Sequence, residues 1–323
     1  MPARGGNPHP PDPSGTRSTG VAAALALAPG SSTSVGAADD GSLEGGVQLP
    51  KAGPGFRHND RRPDQARYGT VELVQALIRA AKAAEADGLP LMINDLGLSE
   101  GGPIAQHGSH QAGRDVDILF FYRDRKGSPY PSIGVPVEPD GTGVDYRDLS
   151  DPSDDVPLRF DAERTWRFCQ ALLEVAYDHI QRIFIVEHVR DRLLKAAKRL
   201  WAPARIVQRF GQITCQPGTP HDDHMHVRFY CTPQDMAAGC LDKPPTYPWR
   251  RAALSALDLK PALYRGRPSA KQRRARAART TTAEQAKNRA TRRYGKFHRE
   301  VRAFLERRKS WAKKTSPPRP FCR

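Results

Sequence analysis

The chain has 323 residues, 38% hydrophobic and 7% aromatic, with 29 Pro and 27 Gly, a composition that predicts a folded middle with poorly ordered ends. No apolar run of about 18 residues occurs, which excludes a transmembrane helix in the body of the chain. The net charge is +16, but residues 261–323 hold 21 Lys+Arg against 3 Asp+Glu, leaving 30 against 32 elsewhere. The basic character belongs to one end, so it gives no ground for specific nucleic-acid binding by the body.

Residues 1–55 are rich in Pro, Gly, Ser and Ala and read as a disordered, signal or linker segment. Within it Arg17 precedes the small apolar run 21–28 and then Pro29-Gly30-Ser31, the pattern of a short secretory signal or of an Ala-rich linker. The body spans 56–260. Residues 70–86 have apolar positions at helical spacing and stop before Gly88. Residues 90–94 read as a buried strand, and 115–122 alternate early and read as another. A helix is expected over 161–177, a strand over 182–186, a helix over 191–201 and a period-two strand over 224–230. This order predicts an α+β fold, a small and mainly antiparallel sheet with flanking helices. Residues 261–323 form a basic C-terminal extension, within which 283–311 have the composition of a basic helix interrupted only by Gly295. Its aromatics follow no stacking motif, which argues against nucleic acid. It reads as an electrostatic tether to anionic wall polymer or a membrane surface, or as a plain solvated extension.

Two clusters carry the chemistry. The first runs from His107 through His110 and Gly113 to Asp115 and Asp117; the second holds His221, His224 and His226. Five of the ten histidines therefore sit in two short segments, each against an expected strand. Residues two apart on a strand share a face, so His224 and His226 face one side, as do Asp115 and Asp117. If the strands are neighbours, His226 meets Asp117 across the sheet, and His110 returns from the preceding loop. Two imidazoles and one carboxylate leave a fourth position open on a tetrahedral zinc, as catalytic sites do. A single histidine beside a strand is ordinarily only a half-buried polar residue. The conjunction is what points to a metal, because burying so many titratable groups is costly unless they are paired or metallated.

At these residues the sequence resembles the penicillin-insensitive murein endopeptidases, within the wider group of lysostaphin-like, D-Ala-D-Ala-cleaving and hedgehog-type zinc folds. The stretches that carry the resemblance begin at Asp95, Ser109, Arg182 and His221. It implies one zinc ion per chain held by His110, Asp117 and His226, with His107 beside the metal. It implies His224 as the base that takes a proton from zinc-bound water, and His221 as a histidine that lines the site and steadies the carbonyl or oxyanion. Asp115 is expected either to orient a ligand histidine through its other ring nitrogen or only to cap its loop. The implied substrate is a D-configured amide in the cross-links between peptidoglycan stem peptides. A D-Ala-D-Ala carboxypeptidase and a non-catalytic wall-binding module are the competing readings, the presence of His224 speaking against the second.

Of the five cysteines, Cys231 and Cys240 are close enough to close a short loop after the last active-site strand. A disulfide there fits a periplasmic or secreted enzyme. The odd count leaves at least one thiol free or paired between molecules.

Overall fold

The computed structural model describes residues 14–85, 88–264, 266 and 283–312. Its helices are α1 (Ser14–Ala26), α2 (Val71–Ala83), α3 (Ala162–Val175), α4 (Glu187–Arg199), α5 (Ala204–Ile213), α6 (Pro233–Ala237), α7 (Pro248–Ser255), α8 (Ala283–Tyr294) and α9 (Arg299–Ala312). Thr70 accepts from Leu73 N and opens α2; Asp161 accepts from Arg164 N and opens α3. These caps satisfy backbone N–H groups that a helix start leaves unpaired.

The central sheet has seven strands: β1 (Ala52–Gly53), β2 (Phe56–His58), β3 (Leu91–Ile93), β4 (Asp115–Leu119), β5 (Ile180–Phe184), β6 (Thr214–Cys215) and β7 (His224–Phe229), in the spatial order β6-β5-β7-β4-β3-β2-β1. The pairs β5/β6 and β2/β3 are parallel and the others antiparallel. A second antiparallel sheet of four strands is built from residues 122–160. The α+β class expected from the sequence is the class observed.

Period two along β7 divides the molecule. Met225, Val227 and Phe229 are buried on the helix side, where Cys169 of α3 meets Met225. His224, His226 and Arg228 take the opposite face with Asp115 and Asp117 of β4. The apolar half joins a core that continues through Leu73, Leu77 and Trp166, and this burial is what holds the polar half in place.

Several boundaries differ from expectation. The strand read at 182–186 lies at Ile180–Phe184, because Ile185 and Val186, equally apolar, are buried in the turn into α4. That helix starts at Glu187 and not at 191, since no side chain caps its first turn and so no cap residue marks it. The strand expected over 115–122 ends at Leu119, and Tyr122–Arg123 joins the second sheet. Helix α5, unforeseen, buries Ile206, Phe210 and Ile213 at helical spacing after Pro203.

The reading of residues 1–55 as disordered is corrected for residues 14–55, residues 1–13 lying outside the described residues. Thr33–Ala37 and Asp40–Glu44 form a hairpin, and Ser34, Ala37 and Leu49 are fully buried. Here Gly and Ser serve close packing: a Cβ on Gly41 would lie 2.4 Å from the Val35 carbonyl oxygen, and the Ser34 hydroxyl donates to Ala112 O and accepts from Arg114 Nε. Helix α1 lies against α2, with Gln75 Nε2 donating to the carbonyls of Ala24 and Leu27. Among the described residues no helix is long and apolar enough to cross a membrane.

The basic helix expected over 283–311 is two helices, broken at Gly295 with φ +74°. The second is not solvated on every side: Val301, Phe304 and Trp311 are buried against the body. Residues 265, 267–282 and 313–323 of the basic extension, the last stretch including Cys322, lie outside the described residues. Cys231 and Cys240 are joined in a disulfide, and Cys169 is a buried free thiol.

Candidate active site and metal centre

Asp117 and His226 are paired directly across β4 and β7, and the same register places His224 opposite Leu119 and Arg228 opposite Asp115. The loop between β3 and β4 brings His107 and His110 over the same face. His110 sits at φ 68° and Gln106 at φ 71°, a backbone region that non-glycine residues rarely adopt. It is fixed there by hydrogen bonds from His110 N to Asp115 Oδ2 at 3.1 Å and from Gln111 N to Ala38 O at 3.0 Å. Gly113 makes the following turn at φ +66°, where a Cβ would press on Leu43 at 2.8 Å.

Four imidazoles converge on one carboxylate. His226 Nδ1 lies 3.2 Å, His110 Nε2 3.3 Å and His224 Nε2 3.6 Å from Asp117 Oδ1, while His107 Nδ1 lies 3.4 Å from Asp117 Oδ2. The other nitrogen of each ring is engaged elsewhere. His110 Nδ1 bonds Leu96 O at 2.6 Å, His226 Nε2 bonds Asp115 Oδ1 at 2.8 Å, His224 Nδ1 bonds Asp223 Oδ1 at 2.6 Å, and His107 Nε2 bonds Asp95 Oδ2 at 2.7 Å. A carbonyl or a carboxylate can only accept, so these outer nitrogens carry the proton. In the neutral rings every inner nitrogen therefore presents a lone pair toward Asp117, which is itself an acceptor.

That arrangement is self-repelling unless a cation or protons sit in the middle. His110 Nε2 and Asp117 Oδ1 are buried without a hydrogen-bond partner, and one donor atom each from His107, His110 and Asp117 lies within 4.8 Å of the others. The residues present fit a metal ion: imidazole and carboxylate donors, with outer-shell acceptors that fix each tautomer. The electrostatics agree. Burial works against ionisation of Asp115 and Asp117, yet Arg228 and His226 hold Asp115, and His110 and His224 hold Asp117, well below the usual carboxylate range. Burial opposes charge on His224, but Asp117 and Asp223 outweigh it and raise its pKa to about 9. Without a metal, protons take the cation's place.

An open cavity of about 310 Å³ lies in front of this cluster, lined by Asp117, His107, His221, His224, His226 and Phe184 among others. A neighbouring space of about 420 Å³ is walled by Gln106, which also lines the first, and by Arg289 and Arg293 of α8. His221, at φ 51°, faces the cavity and is held neutral by burial and by His224 and His226, with its pKa near 3. Its Nδ1–H donates to Thr219 O at 2.8 Å. In this tautomer its Nε2 carries no proton.

The structure thus gathers His107, Asp117, His221, His224 and His226 at one cavity, with His110 fully buried against Asp117. Asp115 does both things expected of it: Oδ1 bonds His226 and Oδ2 accepts from His110 N in the loop. Sequence reasoning assigned no role to Asp95, Arg62 or Asp223. Asp95, buried at the end of β3, receives Arg62 Nε at 3.0 Å and bonds His107. The visible signals were a carboxylate closing an apolar strand and an acidic residue next to His224.

The family model described as penicillin-insensitive murein endopeptidase matches residues 34–248. The chain belongs to this family. A penicillin-insensitive murein endopeptidase of Klebsiella pneumoniae subsp. pneumoniae is 29% identical over 228 residues, covering 68% of this chain and 73% of that protein. One from Haemophilus influenzae is 30% identical over 226 residues, covering 67% and 69%. Membership places the chain among hydrolases of peptide bonds. The matched stretch contains every residue of the cluster and ends before α8 and α9.

Proposed function

We propose that the chain is a zinc-dependent murein endopeptidase that hydrolyses D-configured amide bonds in the cross-links between peptidoglycan stem peptides, outside the cytoplasm in the periplasm or as a secreted protein. The observation that carries this reading is the convergence of four imidazoles on Asp117 with their outer nitrogens tied to acceptors. His110, Asp117 and His226 hold the ion, the two histidines lying nearest the unpartnered oxygen of Asp117 at 3.3 and 3.2 Å, with His224 farther at 3.6 Å. His107 faces the other oxygen and stands beside the metal. Nitrogen and oxygen donors in this number suit zinc with one position left for water.

Bound zinc would lower the pKa of its water from 15.7 toward about 7 and polarise the scissile carbonyl. The residues around it do the rest. Asp223 holds the His224 Nδ1–H, so Nε2 points into the cavity as the base that takes the proton of the attacking water and returns it to the leaving amine. His221 offers its Nε2 as an acceptor to a substrate N–H. Phe184 gives the cavity an apolar wall. The Cys231–Cys240 disulfide supports a compartment outside the cytoplasm; the apolar run 21–28 has the composition of a signal segment, but it packs against α2 and adds no support. The basic extension outside the described residues is an electrostatic tether to anionic wall polymer or a membrane surface.

The test is mass analysis of purified cross-linked muropeptide dimers after incubation with the full chain, with and without a chelator. Conversion of dimer to monomers, blocked by the chelator, supports the proposal. Intact dimers, or loss of only a terminal D-Ala, would count against an endopeptidase, the latter favouring the carboxypeptidase.

A further inference from the structure

Asp222 sits between two site histidines in sequence but turns its side chain away from the cavity. Its carboxylate is fully buried. Arg308 of α9 grips it with both ends, Nη2 to Oδ1 at 2.6 Å and Nε to Oδ2 at 2.8 Å, and Trp311 Nε1 donates to Oδ2 at 2.9 Å. Among the described residues every hydrogen bond to this carboxylate comes from α9. The helix is anchored further by Gln216 Nε2 donating to Trp311 O at 3.0 Å, by a two-point contact of Arg307 with Glu138, and by burial of Phe304 against Tyr146.

The held turn is the one that carries the base. Asp222 O accepts from Val137 N at 2.7 Å and His221 O from Val186 N at 3.1 Å, and the next residue, Asp223, binds His224 Nδ1. His221 lies at φ 51°, a conformation that non-glycine residues keep only where surrounding contacts impose it. A two-point guanidinium–carboxylate contact fixes direction as well as distance. It restrains the backbone from which Asp223 and His224 project.

We propose that Arg308 and Trp311 are positioning residues for the reaction: by clamping Asp222 they set the 221–223 turn, and through Asp223 the orientation of His224. This rests on His224 being the base, as proposed above. The clamp lies beyond the stretch shared with the family, so it is an addition that makes the C-terminal helix part of the site.

The experiment compares the full-length chain with Arg308→Ala, Arg308→Lys and Trp311→Phe on soluble cross-linked muropeptide dimers. The Arg308→Ala variant is expected to lose about tenfold or more in kcat, the scale of an outer-shell partner, with KM and bound metal unchanged. Arg308→Lys should recover most of the loss and Trp311→Phe should show a smaller one. The ¹H–¹⁵N imidazole signals of His224 should shift in Arg308→Ala while those of His179 stay. Wild-type kcat in Arg308→Ala, or a loss of kcat that follows a loss of fold and leaves the His224 signals of the folded fraction in place, overturns the proposal. If Arg308→Ala does not fold, Trp311→Phe decides, and unchanged kcat with unmoved His224 signals contradicts the clamp. Should the wild-type chain cleave no dimer, the functional reading fails, and the His224 signals still report whether α9 sets that side chain.

Discussion

His226 faces Asp117 across adjacent antiparallel strands, and Asp115, two residues earlier on the same strand, binds the far nitrogen of the same imidazole at 2.8 Å. One strand thus supplies both a carboxylate for the centre of the cluster and a carboxylate that sets the tautomer of its neighbour. The two-residue repeat makes this possible, because both aspartates fall on one face.

His226→Ala should therefore lose bound metal, whereas His107→Ala should keep most of it, since His107 faces the other oxygen of Asp117. Metal analysis of purified variants separates the two. Full occupancy in His226→Ala would overturn the ligand assignment.

His224→Ala should retain its metal and lose about 10²–10⁴ in turnover, the usual worth of a general base. Zinc content and turnover are to be taken on one preparation. Loss of zinc would make His224 a ligand, and near-normal turnover would move the base to another residue, with the acceptor nitrogen of His221 the first place to look.

Asp115→Asn keeps shape but removes the charge that steadies His226 and pairs with Arg228. Metal affinity should fall by about 10–100-fold, as for other outer-shell partners. A competition titration against a chelator reads this directly, and unchanged affinity would mean that Asp115 only braces its loop.

The last strand and the candidate site were readable because both rest on short-range patterns: alternation along 224–229 and the spacing of His and Asp residues fix which groups share a face. The hairpin at Thr33–Ala37 was not, since Gly and Ser look alike in a solvated linker and in a place where backbones touch. Likewise the partners of Asp95 and Asp222 come from distant positions, Arg62 in one case and Arg308 with Trp311 in the other. A buried ion pair of that separation has no periodicity to announce it.

The metal-free chain should be less stable at pH 9 than at pH 6.5. His224 has its pKa raised to about 9 in the fold, by Asp117 and Asp223 acting against burial, from about 6.5 when unfolded. A raised value stabilises the folded state fully below about 6.5, and the contribution fades as pH rises through about 9. His226 shifts in the same direction, with burial again opposed by Asp115 and Asp117. Burial holds His58 near 4 and His221 near 3, so they titrate below this window. Zinc reverses the trend, because its ligands bind deprotonated. Thermal melts at both pH values, with chelator and with zinc, should show opposite slopes; parallel slopes would remove the histidine–Asp117 cluster as their source.

The most direct measurement is titration of zinc into the chelator-stripped full-length chain with dimer cleavage followed at each addition. Turnover should start near zero, rise in proportion to added zinc and level off at about one ion per chain, the number a single three-ligand catalytic site holds. Full cleavage by the stripped chain, or no recovery on adding zinc to folded protein, would contradict a zinc centre at Asp117.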